Sequence, residues 1–517
     1  LNALTEEDLT TYFDGSALTD LKNKLQENKL VGSYTENTRP LILSDHGKLY
    51  LHRQWHYEQR LIHEITQRIS SEPELLLDGS ETPEANHLGK DQQLAVNRAT
   101  SSSLTIVSGG PGTGKTTTVL HILAELLARS TNIDLKIALG APTGKAAQRI
   151  QDSLLSGKEA LKVPDSIKSN LPTEALTLHR LLGYKRNSSQ FEHNRNNPLP
   201  YDLVIVDEAS MLDLMMFSKL LEAMRPDARL ILLGDRHQLA SVEAGSIFGD
   251  LVQASRTNKE LEKHTVELTE NFRFGNDSAL YQTCEYVKDG NSEAALAVIH
   301  GEQVGIKLAP LPTPAKLMST LEASILKHFL ELTKTTDPKK ALSLLNELSI
   351  ITPIRKGSFG VEGLNASIEA IVRKQNSGAP HQKHYSGQPI IITENSYTQS
   401  LFNGDQGVIM VSEEDPDQLV AYFMSDESDE LRRFPISALP VFESAYAFTV
   451  HKSQGSEYRK VIFIIPPVET PILSRELIYT AISRSREQVE IWAHTETFVK
   501  AVHSETRRTS GILDFLE

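Results

Sequence analysis

Apolar residues along this chain gather in short, almost uninterrupted runs, each followed by a polar or glycine-rich loop and then by a stretch with helical periodicity. Residues 103–107 lead through such a loop into a helical pattern over 116–127, and residues 137–141 lead into another over 146–155. Residues 203–206, 230–233, 349–352 and 461–465 are further runs of four or five residues. Runs this short and this apolar read as buried strands, and their separations leave room for crossover helices. The pattern predicts an α/β fold with parallel, doubly wound layers and ligand sites at the strand ends.

Two stretches break the pattern. Residues 1–88 hold no strand series, although 39–44 and 48–55 read as a small hairpin running into a helix that ends near Ile69. Between residues 388 and 439, three β-type runs (389–393, 407–411 and 419–423) alternate with Asn-Gly-Asp and Ser/Asp/Glu turns. That alternation predicts a small β-barrel inserted into an α/β domain. No internal repeat or low-complexity tract is evident, which argues against a solenoid.

Length and charge refine this picture. A chain of 517 residues has room for roughly three or four domains. Its formal charge of −14 argues at first against a partner as acidic as nucleic acid. The distribution of that charge removes the objection: residues 1–88 carry −7 and residues 411–431 carry −8, leaving the remainder at +1. A neutral core of this kind would grip nucleic acid through local contacts rather than a broad basic face. The single cysteine, Cys284, excludes an internal disulfide and a thiolate zinc site, favours a reducing cytosolic setting, and reads as a small buried hydrophobe. No apolar run approaches the 18 or so residues of a membrane helix. The chain opens on Leu1 without a signal-peptide pattern, which suggests a trimmed N-terminus.

The candidate chemistry begins at Gly109-Gly110-Pro111-Gly112-Thr113-Gly114-Lys115-Thr116, which fits G-x-x-x-x-G-K-[ST] between a predicted strand and a predicted helix. Glycines let backbone N–H groups turn inward around phosphate oxygens, Lys115 would bridge the β- and γ-phosphates of ATP, and Thr116 would ligate Mg2+. The apolar run 203–206 delivers Asp207 and Glu208 to a strand end. Such a pair is common on a surface, but downstream of a phosphate loop Asp207 reads as the second magnesium group, through water, and Glu208 as the group that orients or deprotonates the attacking water. After the next strand, Gln238 reads as a γ-phosphate sensor or as an ordinary loop amide. Arg273, Arg484 and Arg486 are guanidinium groups suited to the charge of a phosphoryl-transfer transition state. There is no H-E-x-x-H or clustered Asp/His metal pattern, so no nuclease site is expected in this chain.

In order, Gln92, the phosphate loop, 141–147, 206–210, 233–239, 271–274, 449–457 and 479–484 resemble the motifs of superfamily 1 helicases. Within them the chain is similar to the RecD family, the alpha subunits of exodeoxyribonuclease V (RecBCD). Local likenesses at 177–183, 241–245, 360–365, 401–405 and 449–455 favour that family over its relatives. The resemblance implies two RecA-like P-loop motor domains with a small inserted SH3-like β-barrel and a small N-terminal domain. Its divisions would be a partner-docking region at 1–88, a first motor at 89–340 and a second at 341–517, the insert lying at about 388–439. It implies ATP held by Gln92, residues 109–116, Thr117 and Glu457, with Gln92 reading adenine and Glu457 the sugar. Arg273 and Arg484 would complete the site when the cleft closes. Thr143, Lys145, His179, Phe359, Thr449 and His451 would face DNA. Plainer readings stay open for Thr143 as a helix cap, His451 as a buried hydrogen-bonded imidazole and Phe359 as core packing. The implied activity is an ATP- and Mg2+-dependent 5′→3′ DNA helicase in double-strand-break repair and recombination. It would work in the bacterial cytoplasm, nucleoid-associated during repair, on single-stranded and duplex-end DNA, with RecB-like and RecC-like subunits and no membrane. Two alternatives remain: a standalone helicase of the same type, or a P-loop ATPase that only regulates assembly.

Overall fold

A computed structural model describes residues 15–33, 38–71, 88–130, 135–185, 190–240, 245–273, 278–301, 304–375, 383–396, 398–424, 431–468, 470–506 and 510–516. The segment 241–244 of one family likeness and residues 425–430 of the acidic run 411–431 lie outside the described residues.

A small sheet near the N-terminus holds β1 (Val31–Ser33), β2 (Leu41–Leu43) and β3 (Leu49–Leu51), with β2 and β3 antiparallel as expected. The helix His52–Ser70 follows. It packs on the first motor: Leu61 and Ile65 are fully buried in that core, and Arg68 donates to the Ala228 carbonyl at 2.6 Å.

The first large sheet contains β4 (Leu104–Gly109), β5 (Ile137–Ala141), β6 (Leu176–Thr177), β7 (Leu203–Val206), β8 (Arg229–Gly234) and β9 (Thr265–Leu268). Its order is β6-β5-β7-β8-β4-β9, parallel throughout. Strands β4, β7 and β8 are buried along their whole lengths, which is why they appear in the sequence as continuous apolar runs.

The second sheet begins with β10 (Ile306–Ala309) and β11 (Leu348–Thr352). The chain then leaves for an antiparallel sheet of β12 (Gln388–Ile392), β13 (Gln406–Val411), β14 (Leu419–Met424), β15 (Leu431–Pro435) and β16 (Phe442–Ser444). That sheet encloses its own small core around Ile390, Ile409 and Phe423. The parallel sheet is completed by β17 (Ala447–Thr449), β18 (Tyr458–Ile464) and β19 (Ser485–Trp492), in the order β10-β19-β18-β11-β17.

The division at 340/341 needs correcting. Strand β10 pairs with β19, and Leu280, Cys284, Val287 and Ala295 share a core with β18 and β19, so the second layer starts near Ala279. Conversely, Ile512 and Leu516 of the C-terminal helix Ile512–Leu516 return to the first core. Cores are assembled by contact rather than by chain order, and the run 279–300 is helical, so it carried no strand to reveal its allegiance. Among the described residues no helix is long and apolar enough to cross a membrane.

Candidate functional site

Strand β4 ends at Gly109, and the loop turns there into the helix Lys115–Arg129. Gly112 and Gly114 adopt φ of 80° and 76°, left-handed conformations that side chains resist. A Cβ on Gly112 would also lie 2.5 Å from the Arg273 Cβ. Thr113 Oγ1 donates to the Gly110 carbonyl at 2.8 Å, tightening the turn. Lys115 Nζ folds back to donate to the Gly109 and Gly110 carbonyls at 2.6 and 3.3 Å. Thr116 and Thr117 line the same cleft, whose cavity measures about 720 Å³.

Asp207 and Glu208 follow β7 of the same sheet and line the same cleft. The Glu208 amide donates to Asp207 Oδ1 at 2.9 Å, and Glu208 itself is left-handed at φ 52°. Burial, and then the neighbouring Glu208 charge, push the Asp207 carboxyl up, against the pull of Lys115 and Arg149. A hard divalent cation would add to the counter-charge that Lys115 and Arg149 bring to this pair. A hydroxyl at Thr116 and a carboxylate at Asp207 are the oxygen donors magnesium takes when phosphates and water supply the rest.

Glu457, after the turn His451–Ser453, belongs to the second layer yet reaches the first. Its Oε1 takes Arg149 Nη2 at 2.5 Å and Arg273 Nη2 at 2.8 Å, while Arg486 Nε stands 3.7 Å from Oε2. Burial alone would raise this carboxyl; the Arg149 and Arg273 charges outweigh it and hold it at about 2. Arg484 is buried and donates to the Thr480 carbonyl at 3.0 Å and to Ser456 O at 3.4 Å, so in this state it is turned into the second layer. Gln92 bridges Gly89 N, at 3.1 Å, and Gly114 O, at 3.4 Å, at the cleft mouth.

Gln238 departs from its expected place. Its Nε2 donates to Asp235 Oδ2 at 3.2 Å, and it faces a neighbouring recess with Arg236 and Arg475 rather than the phosphate cleft. The residues that join the layers at this point lie in the motif segments 233–239, 449–457 and 479–484, but the sequence alone assigns them no role of their own. Tyr479 OH donates to Asp235 Oδ2 at 2.8 Å, the Leu239 amide donates to Thr480 Oγ1 at 2.9 Å, and Gln454 Nε2 donates to Leu239 O at 2.7 Å. Phe272 was also passed over. It is 56% exposed at the cleft mouth, beside Gly89 and Gly114, and only its place just before Arg273 hints at it.

The candidate DNA contacts divide. Thr143 follows β5 and caps the helix Gly144–Ala160, accepting from the Ala146 amide at 3.2 Å. Lys145 Nζ donates to Gln406 Oε1 at 3.2 Å, across to the antiparallel sheet. Thr449 Oγ1 accepts from the Lys452 amide at 3.3 Å and opens the turn that contains His451. His179 packs edge-on against Tyr184 and Phe191, and burial lowers its pKa. Phe359 is corrected: it sits in the second-layer core, 7% exposed, where its ring packs on neighbours and has no open face for a base.

Two parallel layers of RecA type, one bearing a phosphate loop and a carboxylate pair and the other answering across the cleft with Glu457 and Arg486, define a two-motor P-loop helicase of superfamily 1. Residues 92–244 match the AAA domain family, and residues 444–491 match the UvrD-like helicase C-terminal domain. The RecBCD enzyme subunit RecD of Mycolicibacterium smegmatis is 34% identical over 92% of this chain and 83% of its own length. The chain belongs to the RecD family. The Haemophilus influenzae RecBCD enzyme subunit RecD is 30% identical over 91% of this chain and 80% of its own length. The ATP-dependent RecD2 DNA helicase of Deinococcus radiodurans is 28% identical over 89% of this chain and 58% of its own length. A solved Bacteroides Pif1 helicase covers 79% of this chain and 94% of its own at 19% identity, with a TM-score of 0.42.

Proposed function

We propose that this chain is the 5′→3′ motor subunit of a RecBCD-type helicase–nuclease, working in double-strand-break repair on single-stranded DNA at duplex ends beside RecB-like and RecC-like subunits. The observation that carries this reading is the cleft itself, in which first-layer phosphate-binding groups meet a second-layer carboxylate through Arg149 and Arg273.

Lys115 exchanges its loop carbonyls for the β- and γ-phosphates of ATP, and the loop amides surround the same oxygens. Thr116 and Asp207 would hold Mg2+, which supplies charge neutralisation at the phosphates. Glu208 orients the attacking water. Gln92 and Phe272 frame the base, and Glu457 takes the sugar once nucleotide draws Arg273 away. Arg484, with Gln238 relaying through Asp235 and Tyr479, responds to closure. Thr143, Lys145, Thr449 and His451, all near strand ends, would hold phosphates without reading sequence, as a motor that accepts any sequence must. The antiparallel sheet β12–β16 would be the SH3-like insert, and the small sheet β1–β3 part of the partner-docking region.

The test is ATP hydrolysis with and without single-stranded DNA. Strong stimulation is expected, with Lys115→Ala losing at least about a hundredfold of it while keeping its melting temperature. A DNA-independent rate would mean an ATPase that only regulates assembly. Duplexes with a 5′ tail should be unwound in preference to those with a 3′ tail, and co-purification with two large subunits separates the complex from a standalone helicase.

A further inference from the structure

Arg149 pairs with Glu457, and its position connects three parts of the motor. It lies on the helix Gly144–Ala160, the helix that Thr143 caps and that carries Lys145 in its first turn. Its guanidinium reaches carboxylates from both layers: Nη2 lies 2.5 Å from Glu457 Oε1, and Nη1 lies 3.7 Å from Glu208 Oε1. No other arginine or lysine forms an ion pair with Glu208 among the described residues. Glu208 is a group that needs holding. Its backbone is left-handed without being glycine, and its second oxygen, Oε2, is buried with no hydrogen-bond partner among the described residues.

We propose that Arg149 is a positioning residue that carries the DNA-bound state of its helix to Glu208, and so sets the rate of DNA-stimulated ATP hydrolysis. This rests on reading Glu208 as the group that activates water and the start of the helix as a DNA contact. With Oε1 facing the Arg149 charge at 3.7 Å, Oε2 is left to receive a proton. Water oxygen bonds to the γ-phosphorus as the bond to the β–γ bridging oxygen breaks; that oxygen leaves with ADP, and the water proton passes to Glu208 Oε2. A phosphate of the DNA strand seated on Thr143 and Lys145 shifts the rigid helix, and Arg149, just over one turn from Lys145, moves with it. Because the same guanidinium also holds Glu457, Glu208 is aligned only in step with the second layer. A lysine, with a single compact ammonium, can serve one of the two carboxylates at a time.

The experiment uses the full chain and its Arg149→Gln and Arg149→Lys variants. It reads kcat and KM for ATP at saturating single-stranded DNA, Kd for a labelled oligonucleotide by anisotropy, and the melting temperature. Arg149→Gln is expected to lower kcat about tenfold or more, with KM and Kd within about twofold of wild type, and Arg149→Lys to regain part of that loss. Wild-type kcat in Arg149→Gln would overturn the assignment. So would parallel rises in KM and Kd with a lower melting temperature in both variants, since that pattern marks a purely structural contact. Glu208→Gln tests the parent reading separately: if it keeps wild-type kcat, Glu208 does not activate water and the role of Arg149 falls with it. If Glu208→Gln is inactive and Arg149→Gln is not, only the Arg149 assignment fails.

Discussion

Phe272 and Phe359 have the same side chain and opposite circumstances. Phe272 stands 56% exposed where Gln92 closes the cleft mouth, and Phe359 is 7% exposed in the second-layer core. An aromatic ring left in water beside a base-sized opening offers its face for stacking. Phe272→Ala is therefore expected to raise the KM for ATP about tenfold with kcat within about twofold, as befits a loss of uniform binding. Phe359→Ala should leave KM alone and cost about 3–5 kcal/mol of stability. Steady-state kinetics beside thermal melts distinguish the two, and a Phe272→Ala enzyme with wild-type KM would remove the ring from the base site. The sequence could not rank these residues, because both sit in irregular segments where no periodicity assigns a face.

At the scale of elements, legibility followed burial. Strands β4, β5, β7, β8, β11 and β18 were readable because each holds a run of four or more consecutive buried residues. Strand β19 opens Ser-Arg-Glu-Gln before its apolar half, β10 is four residues long, and β15 is half solvated, so none of them produced a recognisable run. Arg229 lies in one of the legible strands and shows what pattern cannot supply. It is buried, its pKa is lowered to about 10 by burial, and its Nη1 donates to the carbonyls of Ala99 and Thr100 at 2.9 Å and of Ser102 at 3.1 Å. These are the orphan acceptors at the end of the helix Lys90–Ser101, the helix that also presents Gln92. Arg229→Met is expected to lower stability by about 2–5 kcal/mol through the unmet carbonyls. Chemical denaturation measures this, and a loss below about 0.5 kcal/mol would mean that water replaces the guanidinium.

Across the whole molecule, the C-terminus is fastened to the opposite end of the chain. Lys48 pairs with Asp514 at 2.6 Å, the Gly511 amide donates to both Glu58 oxygens at 3.1 Å, and Ser510 Oγ donates to Asp250 Oδ2 at 2.6 Å. Burial pushes Asp250 up to about 6, and the nearby Glu58 charge adds to the shift. Between about pH 4 and 6 the unfolded chain therefore releases a proton that the folded one keeps, so stability falls as pH rises through that window. Asp250→Asn keeps the acceptor and removes the charge. It should raise the melting temperature at pH 7.5 by an amount corresponding to at most about 3 kcal/mol, with the gap closing toward pH 4. An equal gap at both pH values would assign the effect to packing instead.

The sequence by itself determined the parallel α/β layers, the phosphate loop, the carboxylate pair and the family, because each is written in contiguous residues whose spacing is set by local backbone geometry. Tertiary structure alone decided that residues 279–300 belong to the second layer and 512–516 to the first. It likewise decided that Gln238 turns toward Asp235, and that Arg149, Glu208 and Glu457 meet. The last of these joins side chains 59 to 308 positions apart, and all of them depend on groups competing for the same buried space and charge, which no local pattern encodes.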